Sequence, residues 1–394
     1  MDDFYGSLPI MYLHYEQTQV TSVFEDTVAA AIAHCPPGTV LLAAVSGGAD
    51  SIAMLAALAA VRNREVSSRS AFSLRCIHIE HGIRPPAESR GDAEFVRSLC
   101  KELRIPCRVV SVAPGKIAAA AKVRGIGIEA AARQYRHHAW FREARRLEAL
   151  PAVLPAALSV RILTAHTADD MLETALMRIF RGAGPSGLAA MPANRGSLLR
   201  PLITLSRRDI LNYLADRNLT WREDSTNTDT QFLRNRVRHC LIPQLNEHFP
   251  QWRTTLTALA KTQSLTAEFI DDEASRRILW QLSTPSSLHT DAEAFFVQPA
   301  IIREEALFQG IDRLLPGSPK TALPRKIKRV NIRRVNIRRF SEGAVTAVDL
   351  GPLDLRRKGG HIVLSVKKNK VRRSGAGKRK KESSPRSTRS STEV

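Results

Sequence analysis

Three short clusters hold the residue types that chemistry needs. The first is Ser46-Gly47-Gly48-Ala49-Asp50-Ser51. It follows the apolar run Val40 to Val45, which reads as a buried strand, and precedes Ile52 to Ala60, which reads as a helix rich in small apolar residues. Strand, glycine turn and helix together aim backbone N–H groups and a helix N-terminus at an anion. The glycines open backbone angles that side chains forbid, and Ser46 and Ser51 add hydroxyls. Asp50 would repel a phosphate unless a divalent cation stood between them. A serine-capped glycine turn is the plainer account of the same residues. No Gly-Lys-Ser/Thr follows, which excludes the Walker A loop.

The second cluster is His166-Thr167-Ala168-Asp169-Asp170-Met171-Leu172-Glu173. Thr167 or Asp169 would cap a helix here, and acids in a first turn suit its dipole. The spacing adds that Asp170 and Glu173, at i and i+3, share one face. Paired carboxylates beside a phosphate site call for a cationic second ligand. The third cluster, Gly127 to Arg136, puts Glu129 and Arg133 at i and i+4 and sets Arg133 and Arg136 on a shared face. A surface ion pair explains Glu129 and Arg133, whereas an arginine reaching a crevice would steady a phosphoryl group. His78-Ile79-Glu80-His81 ends a strand without a third ligand at metal spacing.

The elements that must position these clusters alternate. Leu74–Ile79, Cys107–Val112 and Val160–Ala165 read as strands, while 87–103, 126–147 and 169–180 read as helices. Repeated βα units predict an α/β fold, a doubly wound, mostly parallel sheet with helices on both faces. Ligands of such sheets bind beyond the carboxyl ends of the strands, where the loop at Ser46, the segment 78–84 and the segment 166–173 fall. Further on, 206–217 and 250–282 read as helices and 343–366 as short strands around a Gly359-Gly360 turn. Residues 150–156 read as an irregular insertion, and 284–300 give no clear pattern. The pentapeptide Arg-Val-Asn-Ile-Arg occurs at 329–333 and again at 334–338; a slipped duplication and a basic ribbon facing RNA are equally compatible with it.

The chain has 394 residues and a net charge of +21. From residue 320 on there are 23 Lys and Arg against 5 Asp and Glu, leaving 36 against 33 before it. The basic character therefore belongs to the tail, and a polycation favours a phosphate-rich partner. Beyond Val366 little could be buried, so the tail is expected to be disordered. Cys35, Cys76, Cys100, Cys107 and Cys240 form no CxxC pair and are odd in number, which argues against a disulfide framework and against zinc or iron–sulfur ligation. No signal peptide and no long uncharged apolar run is evident, so the cytoplasm is the expected location and no membrane partner is expected.

The loop at 46–51 resembles the pyrophosphate loop of the N-type ATP pyrophosphatases. With His78-Ile79-Glu80-His81-Gly82-Ile83-Arg84, 127–136, 164–191, 200–202 and 223–243 in this order, the chain resembles the tRNA(Ile)-lysidine synthetases over about 39–245. The resemblance implies a C–N bond-forming ligase. ATP would adenylate C2 of the wobble cytidine in tRNA(Ile) with a CAU anticodon, and the ε-amine of free lysine would displace AMP to give lysidine. By matched position, Ser46, Gly47, Gly48, Ala49, Asp50 and Ser51 would bind ATP, with Asp50 also holding Mg2+. Asp50, Arg133 and His166 would be catalytic; Asp170 and Glu173 would take the lysine ammonium; Arg234, Asn235, Arg236 and Arg238 would contact tRNA. The expected domains are an N-terminal extension, 1–38, the ATP pyrophosphatase domain, 39–220, a mainly helical tRNA-binding domain, 221–366, and a basic tail, 367–394. The additional C-terminal domain of longer members is expected to be absent, and a homodimer is left open. The chain departs from the family's usual Arg-Tyr at Arg136-His137 and has Glu at 80.

Three other readings compete. A tRNA 2-thiolation enzyme shares the loop but calls for cysteine pairs; a small-molecule ligase would not need 223–243 or the tail. A catalytically dead RNA-binding protein would not need Asp50, Asp170 and Glu173 together.

Overall fold

A computed structural model describes residues 19–65, 72–83, 86–149, 159–223, 233–314, 338–350 and 353–367. Arg84, the 150–156 insertion, residues 224–232, nearly all of the pentapeptide repeat and the tail beyond Lys367 lie outside them. Two compact units divide the chain, Met1–Glu273 and Ala274–Val394.

The first unit is built on a six-stranded sheet of order β3-β2-β1-β4-β6-β5. Its strands are β1 (Val40–Ala44), β2 (Ser73–Glu80), β3 (Cys107–Ser111), β4 (Val160–Thr164), β5 (Asn194–Arg195) and β6 (Leu198–Leu199). All neighbours are parallel except β5 and β6, as the α/β reading expects. Alternate residues of β1 supply the two faces. Leu41 and Ala43 pack under α1 (Gln19–Ile32), α2 (Ala49–Glu65), α3 (Pro86–Glu102) and α8 (Arg207–Asp216). Val40 and Leu42 pack under α5 (Ile128–Glu148). The chain runs β1, β2, β3 in one direction and then returns to place β4 on the other side of β1. The crevice beyond the carboxyl ends of β1 and β4 is thus the topological switch point, where such sheets bind ligands.

The expected helix over 126–147 begins at Ile128, and α4 (Lys116–Arg124) precedes it as a separate element. Gly125, with φ 53°, ends α4 in the left-handed conformation that glycine adopts at low cost. The structure also places α1, from the expected extension, inside the core: Phe24 stacks on Tyr213 at 4.1 Å, and Val28 and Ile32 are buried. Glu25 is fully buried, paired with Arg64 and Arg217, and accepts the Tyr213 hydroxyl at 3.0 Å. A buried carboxylate is tolerated only when partnered in this way.

The remaining helices of this unit are α6 (Ala168–Ile179), α7 (Pro185–Leu188), α9 (Leu233–Arg236), α10 (Ile242–His248) and α11 (Trp252–Arg277), whose last residues from Ala274 fall in the second unit. Val237–Leu241, between α9 and α10, is wound as a π-helix, a form often found at functional positions. Leu172 and Leu176 of α6 pack with Val237, Ile242, Trp252 and Leu256, so the chain after 232 is anchored on α6.

The second unit holds α12 (Ala292–Phe296), α13 (Ala300–Leu314), α14 (Arg338–Ser341) and a five-stranded antiparallel sheet. Its strands are β7 (Gln281–Thr284), β8 (Ser287–Asp291), β9 (Ala347–Asp349), β10 (Leu353–Lys358) and β11 (His361–Val366), in order β7-β8-β11-β10-β9. The β10–β11 hairpin turns at Gly359-Gly360, where the sequence places it. β7 and β8 were not foreseen, since β7 is exposed along its length and carries no alternation.

Candidate active site

The loop after β1 owes its shape to Gly47 and Ser51. Gly47 has φ 97°, which strains any other residue. The Ser51 hydroxyl accepts from the backbone N–H of Ser46 and of Gly47, each at 3.2 Å, and donates to the Gly48 carbonyl at 2.9 Å. Arg222 donates its backbone N–H to the Gly47 carbonyl at 3.0 Å, tying a distant strand of chain to the loop. α2 begins at Ala49, so its positive dipole end opens on the same crevice.

A cavity of about 410 Å³ lies there. Ser46, Gly48, Asp50 and Ser51 line it with Arg133, Arg136 and His137 of α5, His166 after β4, Asp170 of α6, and Arg234. His78 and Glu80 at the end of β2 also reach it. All three sequence clusters therefore converge on one crevice. Gly47, Ala49 and Glu173 do not line the cavity; Gly47 and Ala49 sit in the loop and first turn behind it.

Three of the cavity's histidines are shifted toward the neutral form. Burial, followed by the charges of Arg133, Arg200, Arg234 and Arg136, lowers His166 to about 3. Its Nδ1 lies 2.9 Å from the Thr164 hydroxyl. Burial and then Arg133 and Arg136 lower His137 to about 4. His78 is lowered by burial too, although Nδ1 meets the Val45 carbonyl at 2.9 Å. The positive charge of this wall thus belongs to arginines. Burial lowers the pKa of Arg133, helped by the charge of Arg234. Nothing partners the buried Nε of Arg136, so a donor remains for a ligand.

The acidic wall is fully engaged. Thr167 caps α6: its hydroxyl accepts from Asp170 N at 3.2 Å, and Asp170 Oδ2 accepts from Thr167 N at 3.0 Å. The capping account of this cluster therefore holds, but only for Oδ2. Asp170 Oδ1 accepts from Arg234 Nη2 at 2.6 Å. Glu173, almost fully buried, accepts from Arg234 Nε at 2.8 Å and Arg238 Nε at 2.7 Å. Two arginines expected at tRNA phosphates are thus clamped on the two carboxylates expected to hold lysine. Arg236 is exposed on the same segment, beside Asn235. Sequence reasoning did not find Arg207, which pairs with Asp50, or Arg253, which pairs with Asp169 and stacks over Trp252 at 4.8 Å. The basic start of α8, next to the capping Ser206, was the only local signal for Arg207.

Burial raises the Asp50 carboxyl above its usual range; Arg207 opposes the shift and the charge of Asp170 adds to it. A carboxylate beside a phosphate loop, with its charge opposed by burial, is a donor suited to a hard divalent cation. A second cluster lies elsewhere: the sulfurs of Cys76, Cys100 and Cys107 all lie within 4.8 Å of one another. The absence of CxxC spacing gave no sign of it.

A parallel sheet, a glycine loop at its switch point and a helix N-terminus over a cationic cavity define a PP-loop nucleotide-binding protein of the α/β class. The sequence model of the PP-loop domain family matches residues 16–245, and the chain belongs to that family, which uses ATP. It is 37% identical over 243 residues to the tRNA(Ile)-lysidine synthase of Treponema denticola, covering 61% of this chain and 49% of that one. It is 34% identical over 276 residues to the tRNA(Ile)-lysidine synthase of Chromobacterium violaceum, covering 68% and 56%. The chain spans about half the length of the curated relatives it matches. Among solved structures, the U34-tRNA thiolase of Methanococcus maripaludis is similar at a TM-score of 0.49 with 13% identity, over 63% of this chain and 80% of that one. No described helix is long and apolar enough to cross a membrane.

Proposed function

We propose that the chain is a tRNA(Ile)-lysidine synthase, a C–N bond-forming ligase of the cytoplasm. The observation that carries this reading is the single cavity lined by the phosphate loop, Arg133, His166 and Asp170. ATP binds with its phosphates on residues 46–51. The C2 oxygen of the wobble cytidine in tRNA(Ile) with a CAU anticodon attacks the α-phosphorus, and pyrophosphate leaves. The lysine ε-amine, its proton passed to a cavity carboxylate such as Asp50, then attacks C2, and the C–O bond breaks to release AMP. Mg2+ held at Asp50 would supply charge neutralisation for the triphosphate.

The chain's own residues divide the remaining work. Arg133 meets the charge that develops on the α-phosphoryl group, since the neutral His166 cannot. His166 contributes a hydrogen bond near the reacting carbon and no charge. Asp170 and Glu173 take the lysine ammonium, which requires Arg234 and Arg238 to release them or share them. With Asn235 and Arg236, these arginines then serve the tRNA backbone. A homodimer remains compatible with this scheme. The domain division proposed for function is the ATP-using unit carrying the sheet, followed by tRNA-binding segments after 220.

The test is incorporation of labelled lysine into transcripts of tRNA(Ile) with a CAU anticodon, with ATP present. Incorporation at the wobble cytidine, with AMP and pyrophosphate formed in equal amounts, is the expected result. ATP cleavage without incorporated lysine refutes the reading in favour of another PP-loop reaction.

A further inference from the structure

The cysteine cluster has no part in the cavity chemistry. Cys76 sits on β2, Cys100 in the last turn of α3 and Cys107 at the first position of β3. Parallel pairing places Cys76 directly opposite Cys107, and the turn after α3 folds Cys100 back over both. All three are unbridged thiols, Cys76 and Cys100 being almost fully buried and Cys107 half-buried.

We propose that Cys76, Cys100 and Cys107 form a three-thiolate site for a thiophilic divalent cation of the Zn2+ class. Three sulfurs bound to one zinc ion at about 2.3 Å stand about 3.8 Å apart. The present spacing, within 4.8 Å, needs only small side-chain rotations to reach that arrangement. The ligands come from two adjacent strands and a packed helix, which fixes them before the ion arrives. A separate cavity of about 400 Å³ includes Cys76 and Cys107 in its lining and shares no residue with the candidate active site. Cys107, half-buried on the edge strand β3, gives the ion its path from solvent.

The charge is also provided for. Three thiolates and a dication sum to one negative charge. Arg75, Arg97, Arg108 and Arg146 line the cavity, and Glu143 is its one acid. Glu143 already pairs with Arg108 at 3.1 Å and Arg146 at 2.7 Å. The buried Nε of Arg75 has no partner. The incoming ion displaces the thiol protons to solvent, so binding strengthens as pH rises.

The test uses the full chain, reduced and stripped of metal, titrated with Cd2+ as a spectroscopic probe. Thiolate-to-cadmium charge transfer in the ultraviolet should saturate at one equivalent, and Zn2+ should remove the band by competition. Cys100→Ala should weaken Cd2+ binding by more than about 100-fold, beyond what loss of an outer-shell partner costs. Cys35→Ser and Cys240→Ser should leave it unchanged. If Cys100→Ala fails to fold, the isosteric Cys107→Ser at the half-buried edge decides in its place. A band that survives both substitutions, or no band with folded wild-type protein, overturns the proposal. So does a chain in which Cd2+ is ignored and mild oxidation joins two of the three thiols.

Discussion

Replacing Arg234 by Ala removes the guanidinium that spans Asp170 and Glu173 at 2.6 and 2.8 Å. Burial opposes its charge, yet Asp170 and Glu173 outweigh burial and raise its pKa. Breaking a buried pair from one side typically costs about 3–5 kcal/mol, because the other charge is left uncompensated. Arg238 still holds Glu173 at 2.7 Å and is itself 40% exposed, so the lower end, about 3 kcal/mol, is expected. Glu173→Ala leaves two arginines facing each other without their shared anion and should cost a similar amount. The double variant should cost much less than the sum, giving a coupling of about 2 kcal/mol. Urea unfolding of the four proteins measures this cycle. Additivity within about 0.5 kcal/mol would refute the clamp.

Gly47→Ala forces φ 97° on a residue with a Cβ, costing about 1–3 kcal/mol, and should abolish ATP-dependent pyrophosphate release in a folded protein. Circular dichroism alongside the assay separates the two effects, and full activity would contradict the loop's role. His166 gives a pH prediction. Its folded pKa of about 3 lies below the unfolded value of about 6.5, so the unfolded chain binds more protons between them. Stability is therefore complete above pH ~6.5 and falls as pH drops through the window, by about 2 kcal/mol at pH ~5. His166→Gln should flatten that slope in urea midpoints, and an unchanged slope would show that the histidine is not buried neutral. Removing residues 367–394 should weaken tRNA binding and flatten its salt dependence while ATP binding stays intact. An unchanged salt slope would show the tail to be idle.

What the sequence revealed was short-range. The buried run before Ser46, the capping Thr167 and the i, i+3 acids each lie within one strand or one helical turn, where periodicity is a direct consequence of backbone geometry. The alternation of elements then placed the site at the switch point. What stayed hidden was long-range. Arg234 and Arg238 meet Glu173 from 61 and 65 residues away, and Tyr213 meets Glu25 across 188. No local pattern encodes such pairs, so α1 read as an extension and the arginines as free for phosphate. The proximity of the three cysteines stayed hidden for the same reason. Spacing rules for metal ligands describe loops, whereas Cys76 and Cys107 meet through strand register. β7 escaped because its exposed residues lack a buried face, and β8 because its buried face is only Leu288 and Thr290.

The central claim is that the nucleotide and the amine are served by one cavity with separable walls. Steady-state pyrophosphate release and lysine incorporation, measured on the same tRNA for Asp50→Ala and Asp170→Asn, test it most directly. Asp50→Ala should lose both readouts, whereas Asp170→Asn should keep pyrophosphate release and raise the KM for lysine. Equal loss of both readouts in both variants, or an unchanged lysine KM in Asp170→Asn, would contradict it.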